Sequence, residues 1–99
     1  MYQKQPCVYI LTNITNQVLY TGVTSNLSKR MWEHKNSTGD SFTHSYHVNR
    51  LVYFESWETM EQAITREKQI KAGSRKKKLD LINLLNPAWI DLTSTIETL

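Results

Sequence analysis

Two short apolar runs near the start of the chain predict a pair of β-strands. Residues 7–11 combine aromatic and β-branched side chains and follow Pro6, and residues 17–23 have the same character. The polar spacer 13–16 contains two asparagines, a residue type that tolerates turn conformations. So short a connection joins antiparallel strands, and we therefore predict a β-hairpin.

The later part of the chain predicts three helices and a third strand. The predicted elements are a helix from Leu27 to about Lys35, a strand over 50–55, a helix over 57–72 and a helix over 75–85. Ser25 or Asn26 is expected to cap the first helix, and Thr59 and Gln62 have the spacing of a capping box in the second. Gly73 is expected to end that second helix.

The order of these elements, β-β-α-β-α-α, indicates a mixed α/β protein, in the α+β class because its sheet is antiparallel. We expect a small three-stranded antiparallel sheet flanked by helices. The 99 residues suffice for one domain over 1–99, with a core over about 5–91 and a C-terminal tail over 92–99. The polar segment 41–49 is interpreted as a loop.

Composition narrows the class of protein. The single cysteine, Cys7, excludes an intramolecular disulfide and any zinc or redox motif built on cysteine pairs. The first apolar run is far shorter than a signal peptide or a membrane span, so we expect a soluble, cytoplasmic protein with no membrane partner. Twelve Lys and Arg against nine Asp and Glu give a net charge of +3, which favours a polyanionic partner.

Two polar residues of the first predicted helix point toward the sheet. Leu27 and Met31 define its apolar stripe, and at about 100° per residue His34 falls beside them. Arg30 lies roughly 60° to one side of the stripe. An Arg and a His at this spacing can also bridge the edge of a core, so the pattern alone leaves a structural interpretation open.

A carboxylate interrupts the apolar stripe of the second predicted helix. Glu67 lies within the stripe made by Met60, Ala63, Ile64 and Ile70. Burying an unpaired carboxylate is costly, so Glu67 requires a cation, a hydrogen-bond donor or an open cleft. The structural alternative is an ion pair with Arg30.

The two predicted strands each contribute a tyrosine. Tyr9 and Tyr20 belong to adjacent strands, and by themselves they read equally well as ordinary strand aromatics whose hydroxyls reach water. Gly22 follows at the exit of the second strand, where the missing side chain would admit another backbone or a phosphate.

The ordered set of these residues resembles the GIY-YIG nuclease superfamily. The family's two short strand motifs correspond to residues 7–9 and 20–22, with Cys-Val replacing Gly-Ile in the first and Thr replacing Ile in the second. Arg30 and His34 resemble the family's Arg followed by His, and Glu67 matches its metal-binding glutamate. The resemblance spans residues 7 to about 91 and is greatest to small stand-alone bacterial members.

The resemblance implies a metal-dependent endonuclease that hydrolyses phosphodiester bonds. Glu67 would hold Mg²⁺ or Mn²⁺, and Arg30 would bind a phosphate oxygen. One tyrosine would be the general base for the attacking water while the other tyrosine and His34 orient it, and the sequence leaves open whether Tyr9 or Tyr20 is the base. Asn86 would correspond to a late asparagine that supports the site in some members.

A cluster of basic residues lies directly after Glu67. The residues expected to contact nucleic acid are Lys68, Lys71, Arg75, Lys76, Lys77 and Lys78. A solvated helix end is the alternative explanation. With a phosphodiesterase site beside it, the cluster predicts recognition of the nucleic-acid backbone with little sequence preference. DNA is favoured over RNA, although the sequence leaves both open, and the structures considered are branched, damaged or single-stranded DNA, as in DNA repair. The extra DNA-binding module of larger GIY-YIG enzymes is missing, which indicates either weak intrinsic affinity or a protein partner that supplies targeting; the oligomeric state stays open.

Two other functions compete with an endonuclease. A non-catalytic nucleic-acid-binding module could keep the same fold, but the complete set of site residues favours the enzyme. A transition-metal site of His34, His44 and His47 matches no established ligand spacing. The remaining large aromatics are expected mostly in the core rather than stacked on bases: Trp32, Trp57, Trp89, Tyr46 and Tyr53.

Overall fold

The fold is a three-stranded antiparallel sheet with helices on both faces, as the sequence predicts. The computed structural model describes residues 5–36 and 47–97. Its elements are β1 (Cys7–Thr12), β2 (Leu19–Thr24), α1 (Leu27–Asn36), β3 (Arg50–Ser56), α2 (Met60–Ala72), α3 (Arg75–Leu85) and α4 (Thr93–Glu97). The strand order is β2-β1-β3, so β1 is central. Residues 41–46 of the expected loop lie outside the described residues.

The alternation of side chains along β1 divides the interior into two cores. We call the cluster that contains Tyr9 and Leu11 the first core, and the cluster that contains Val8 and Ile10 the second core. Helices α1 and α4 contribute to the first core, and α2 and α3 contribute to the second. All six residues of β1 are buried because helices cover both of its faces.

A β-bulge in β3 directs two consecutive side chains of that strand into the second core. The pairing of β1 with β3 shifts register between Ile10, opposite Tyr53, and Leu11, opposite Leu51. Val52 and Tyr53 consequently both contribute to the second core. A bulge of this kind inserts one extra residue in a strand and changes which face later side chains occupy.

Two details of α2 differ from the sequence prediction. The helix begins at Met60 rather than Trp57, because Thr59 and Gln62 form the expected capping box at its start. Trp57 instead packs against the second core and donates its indole N–H to Glu55 at 2.9 Å. Ile64, expected in the apolar stripe, is exposed.

The segment expected as a C-terminal tail contributes to the first core. Residues 93–97 form α4, and the side chain of Ile96 is buried in that core. Leu92 packs beside it, and its backbone N–H donates to the carbonyl of Leu51 at 2.7 Å. A helix of five residues is too short to produce a periodic signal in the sequence.

The aromatic residues are divided between the interior and the surface. Trp57, Trp89 and Tyr53 belong to the second core or pack against it, as expected. Trp32 is exposed, contrary to that expectation, and Tyr46 lies outside the described residues. None of the helices in the described part of the chain is both long and apolar enough to cross a membrane.

Asn86 connects the end of α3 to the sheet. Its side-chain amide donates to the carbonyls of Val52 at 3.2 Å and Ile90 at 2.8 Å, and its oxygen accepts from the Ile90 N–H at 3.1 Å. The residue is 5% exposed. These bonds stop the helix and fix the following turn against β3, which is a structural role.

We expect Asn86→Ala to destabilise the fold. Removing the amide leaves buried backbone groups without partners, which costs about 1–3 kcal/mol in the free energy of unfolding. Urea unfolding measures the change. Asn83→Ala is the control, because Asn83 is an exposed asparagine of the same helix that makes one bond, to the Trp89 indole. Equal stability of Asn86→Ala and the unmodified chain would contradict this role.

The ring of Tyr9 lies across Gly22 on the neighbouring strand. The two residues are directly paired between β1 and β2. A Cβ atom at Gly22 would lie 2.5 Å from both the Tyr9 hydroxyl oxygen and the ring carbon that bears it. The close approach expected at Gly22 is therefore made by Tyr9 itself.

Gly22→Ala should destabilise the protein by about 1–3 kcal/mol, since the added methyl overpacks a fully buried ring. Thermal unfolding of single and double variants tests the cause. Tyr9→Leu removes the clashing atoms, so adding Gly22→Ala to Tyr9→Leu should cost less than it costs in the unmodified chain. Strictly additive effects would show that the clash is not the reason.

Candidate active site

Three aromatic side chains from β1, β2 and α1 meet at one end of the first core. The ring centroids of Tyr9 and Tyr20 are 6.4 Å apart, and the imidazole of His34 lies 5.9 Å from the first and 6.1 Å from the second. The Tyr9 hydroxyl is 3.3 Å from Nε2 of His34. Residues far apart in sequence thus form one triangle of ionisable rings.

Packing of α1 directs His34 and Arg30 to this triangle. Leu27 and Met31 are the buried residues of the helix. Asn26 begins the helix by accepting the Lys29 N–H at 3.1 Å, as a cap at this position predicts. With the buried stripe so oriented, the flank that carries His34 and Arg30 faces the tyrosines, as the helical spacing predicts.

The protonation states of Tyr9 and His34 follow from their surroundings. Burial raises the pKa of Tyr9 above its usual value, Tyr20 and Glu67 add to the rise, and the Arg30 guanidinium opposes it. Burial, followed by the charge of Arg30, lowers the pKa of His34. At neutral pH a protonated phenol therefore faces a neutral imidazole, and the tautomer of His34 decides which of the two groups donates the bond.

Glu67 lies within electrostatic range of the same hydroxyl. Its side chain is 15% exposed, and it shares a face of α2 with the buried residues Ala63 and Ile70. The interrupted apolar stripe is therefore a real feature of the helix. Lys71, one turn later, places Nζ 3.2 Å from Oε2 of Glu67.

Arg30 and Glu67 each have a partner of their own. The Arg30 guanidinium forms an ion pair with Glu33 at 3.4 Å, and both side chains are nearly half exposed. Glu67 pairs instead with Lys71. The direct pair of Glu67 with Arg30 that the sequence left open as a structural alternative is thus replaced by two local pairs on separate helices.

The donor set at this site suits a hard divalent cation. Over residues 5–36 and 47–97, no three His, Cys, Asp or Glu side chains converge to hold a metal. A transition-metal site of the three histidines gains no support: His34 contacts Tyr9, His47 is exposed, and His44 lies outside the described residues. Mg²⁺ needs only one or two carboxylates when phosphate oxygens and waters complete its shell, so Glu67 alone fits it.

The basic cluster is distributed over two helices with opposite electrostatic effects. Lys71 lies in the last turn of α2, where a cation complements the helix dipole. Arg75–Lys78 instead open α3, whose first turn contains no acidic residue. Four cations at the positive end of a helix oppose its dipole.

Arg66, beside this cluster, belongs to a different group of residues. Its Nε is 2.8 Å from Oε1 of Glu55, and Glu55 also accepts bonds from the Tyr53 hydroxyl and the Trp57 indole. These three donors and the charge of Arg66 hold the pKa of Glu55 below its usual value although burial opposes them. The group ties β3 to α2 and is a structural contact.

A polar cleft beside Arg30 was not anticipated from the sequence. Its volume is about 240 Å³, and its lining residues are Thr24, Ser25, Asn26, Lys29, Arg30 and Glu33. Lys29 adds a second positive charge next to Arg30. Only the adjacency of Lys29 and Arg30 in the sequence could have indicated this cleft, and adjacent helical residues usually diverge.

Comparison with known proteins assigns the family. The GIY-YIG catalytic domain matches residues 5–80. A UPF0213 protein of Clostridium perfringens is 43% identical over 77% of this chain and 81% of its own length. A UPF0213 protein of Staphylococcus saprophyticus is 42% identical over 66% of this chain and 79% of its own length.

A solved structure shares the fold. The solution NMR structure of a UPF0213 protein from Bacillus halodurans superposes with a TM-score of 0.57 at 29% identity and covers 91% of this chain and 95% of that one. The matched range of residues 5–80 contains the residues around which the site is built, which are Tyr9, Tyr20, Arg30, His34 and Glu67. The chain belongs to the GIY-YIG catalytic domain family.

Proposed function

We propose that this protein is a metal-dependent endonuclease that hydrolyses phosphodiester bonds of DNA. The observation that carries the proposal is the convergence on the Tyr9 hydroxyl: His34 bonds to it, and Arg30 and Glu67 both act on its ionisation. A cation, a carboxylate and ionisable rings around one point are what phosphoryl transfer requires.

Arg30 is the residue that binds the scissile phosphate. Its ion pair with Glu33 is between nearly half-exposed side chains, and such pairs contribute at most about 1 kcal/mol. A phosphate can therefore take the guanidinium from Glu33, and the polar cleft beside Arg30 gives it room. Glu67 would hold a Mg²⁺ or Mn²⁺ ion, which would supply Lewis-acid stabilisation of the leaving oxygen.

Tyr20 is the general base in this proposal, and Tyr9 is the residue that orients His34. The side chain of Tyr9 is 0% exposed and its pKa is raised, so it neither meets the attacking water nor ionises readily. Tyr20 is partly exposed and lies against both Tyr9 and His34. This assignment goes beyond the sequence, from which the two tyrosines were equivalent.

The substrate is bound by its backbone. Lys68 and Lys71 extend from Glu67 along α2, and Arg75 to Lys78 continue the positive charge at the start of α3. Contacts from such lysines neutralise phosphates without reading bases. We propose little sequence preference, selection by DNA structure, and a protein partner that supplies targeting.

Tyr20→Phe should lower the cleavage rate by about 10²–10⁴-fold, the usual contribution of a general base. Nicking of a supercoiled plasmid in Mg²⁺ or Mn²⁺ measures it, with chelator as the metal-free reference. Tyr53→Phe is the matched control, since Tyr53 contributes to the second core and its hydroxyl bonds to Glu55. Full activity of Tyr20→Phe would refute the assignment of the base. DNA binding without cleavage by the unmodified chain would favour a non-catalytic module.

Lys77→Gln should weaken DNA binding while leaving the fold at least as stable. Losing one phosphate contact reduces the slope of log affinity against log salt by about 0.9. Removing a cation from the first turn of α3 also relieves an unfavourable dipole interaction of about 0.3–1 kcal/mol. Fluorescence anisotropy at several salt concentrations and thermal unfolding test both effects. Lys77→Arg keeps the charge and should retain the slope; an unchanged slope in Lys77→Gln would exclude a contact there.

A further inference from the structure

The carboxylate of the candidate metal site, Glu67, forms an ion pair with Lys71. Lys71 Nζ lies 3.2 Å from Oε2, one helical turn away. The Glu67 side chain is 15% exposed and that of Lys71 is 53% exposed. A nearly buried carboxylate is therefore neutralised by a cation whose own side chain extends largely into water.

This pairing explains how Glu67 is accommodated on the apolar face of α2. An isolated carboxylate between Ala63 and Ile70 would be costly to desolvate, and the ammonium offsets part of that cost. Burying the Glu67 carboxylate requires a cation, and either an ammonium or a metal ion can supply the positive charge. The ammonium thus lies at one of the two oxygens with which Glu67 would bind a divalent ion.

The lysine can leave this position at low cost. Its side chain is a flexible four-carbon stem that is more exposed than buried, and an i,i+4 ion pair on a helix is weak. A divalent ion attracts the carboxylate more strongly than an ammonium does, and two cations on one oxygen repel each other. Binding of the ion therefore releases the ammonium.

We propose that Lys71 occupies Glu67 in the free protein and moves to a phosphate of the substrate when a divalent cation takes the carboxylate. This inference rests on the proposed function of Glu67 as the metal ligand. It assigns Lys71 a positioning role with two opposite effects: the residue weakens binding of the metal alone and strengthens binding of DNA once the metal is present.

A lysine with an ordinary role would not produce this combination. A simple phosphate contact would change DNA affinity without changing metal affinity. A helix-stabilising pair would change neither, apart from a small loss in thermal stability. Lys68 is the comparison within the chain, because it is an exposed lysine on the same helix next to Glu67 and is also expected to meet DNA.

The first measurement is the affinity for Mn²⁺ without DNA. Electron paramagnetic resonance of the free ion detects how much Mn²⁺ remains unbound. Lys71→Met should bind Mn²⁺ roughly 1.5- to fivefold more tightly than the unmodified chain, the range expected for losing a partly screened competing charge. Lys71→Gln should behave in the same way. Lys68→Met should bind more tightly by a smaller factor, since its charge is not on the carboxylate, and Lys71→Arg should match the unmodified chain.

The second measurement is the affinity for a labelled DNA duplex in saturating Mn²⁺. It is made in the Tyr20→Phe background so that bound DNA stays intact. Lys71→Met should bind DNA more weakly there, while Lys71→Arg retains binding. Thermal unfolding of each variant confirms that the compared proteins are folded.

The outcomes separate this inference from the function it rests on. If Glu67→Gln binds Mn²⁺ as well as the unmodified chain, both the metal assignment and the role of Lys71 fail. If Glu67→Gln loses Mn²⁺ but Lys71→Met binds it no more tightly than Lys68→Met does, the metal assignment stands and the competition is refuted. Tighter Mn²⁺ binding together with weaker DNA binding in Lys71→Met supports the proposal.

Discussion

The contact of the Tyr9 ring with Gly22 is the constraint on which the site depends. Tyr9 is fully buried on the central strand, and its hydroxyl reaches over the edge strand because Gly22 has no side chain. The same hydroxyl bonds to His34 of α1, a helix that is oriented by its buried residues Leu27 and Met31. A side chain at Gly22 would displace the Tyr9 ring and, with it, the contact between Tyr9 and His34.

The second core positions the remaining part of the site from the other face of the sheet. Helix α2 packs against β2 and β1, with Ala63 and Ile70 buried. Glu67 lies on that same face of the helix, yet its charge acts on Tyr9 in the first core. The site therefore joins two separately packed faces at the edge strand, and its geometry depends on the correct packing of both cores.

Local signals in the sequence were sufficient for most of the fold. The hairpin, the capping box at Thr59 and the bounds of α3 all follow from short-range patterns, and Glu67 was recognisable because it breaks a helical period. The incorrect predictions arose where contacts between residues distant in sequence override the local pattern. Trp57 joins Glu55 instead of extending α2, and α4 is held by the first core rather than by any periodicity of its own. The cleft beside Arg30 likewise arises only from the meeting of β2 and α1.

The four cations that open α3 make the free protein less stable than its backbone would allow. Arg75–Lys78 lie where a helix favours negative charge, and the Lys76 pair with Asp80 is too exposed to compensate. A polyanion bound at the same place, as we propose for DNA, would reverse this interaction, because its phosphates would meet both the lysines and the positive end of the helix. Relief of the repulsion among these charges would then contribute to the affinity for the polyanion. In this respect the start of α3 would be better matched to a bound state than to the free one.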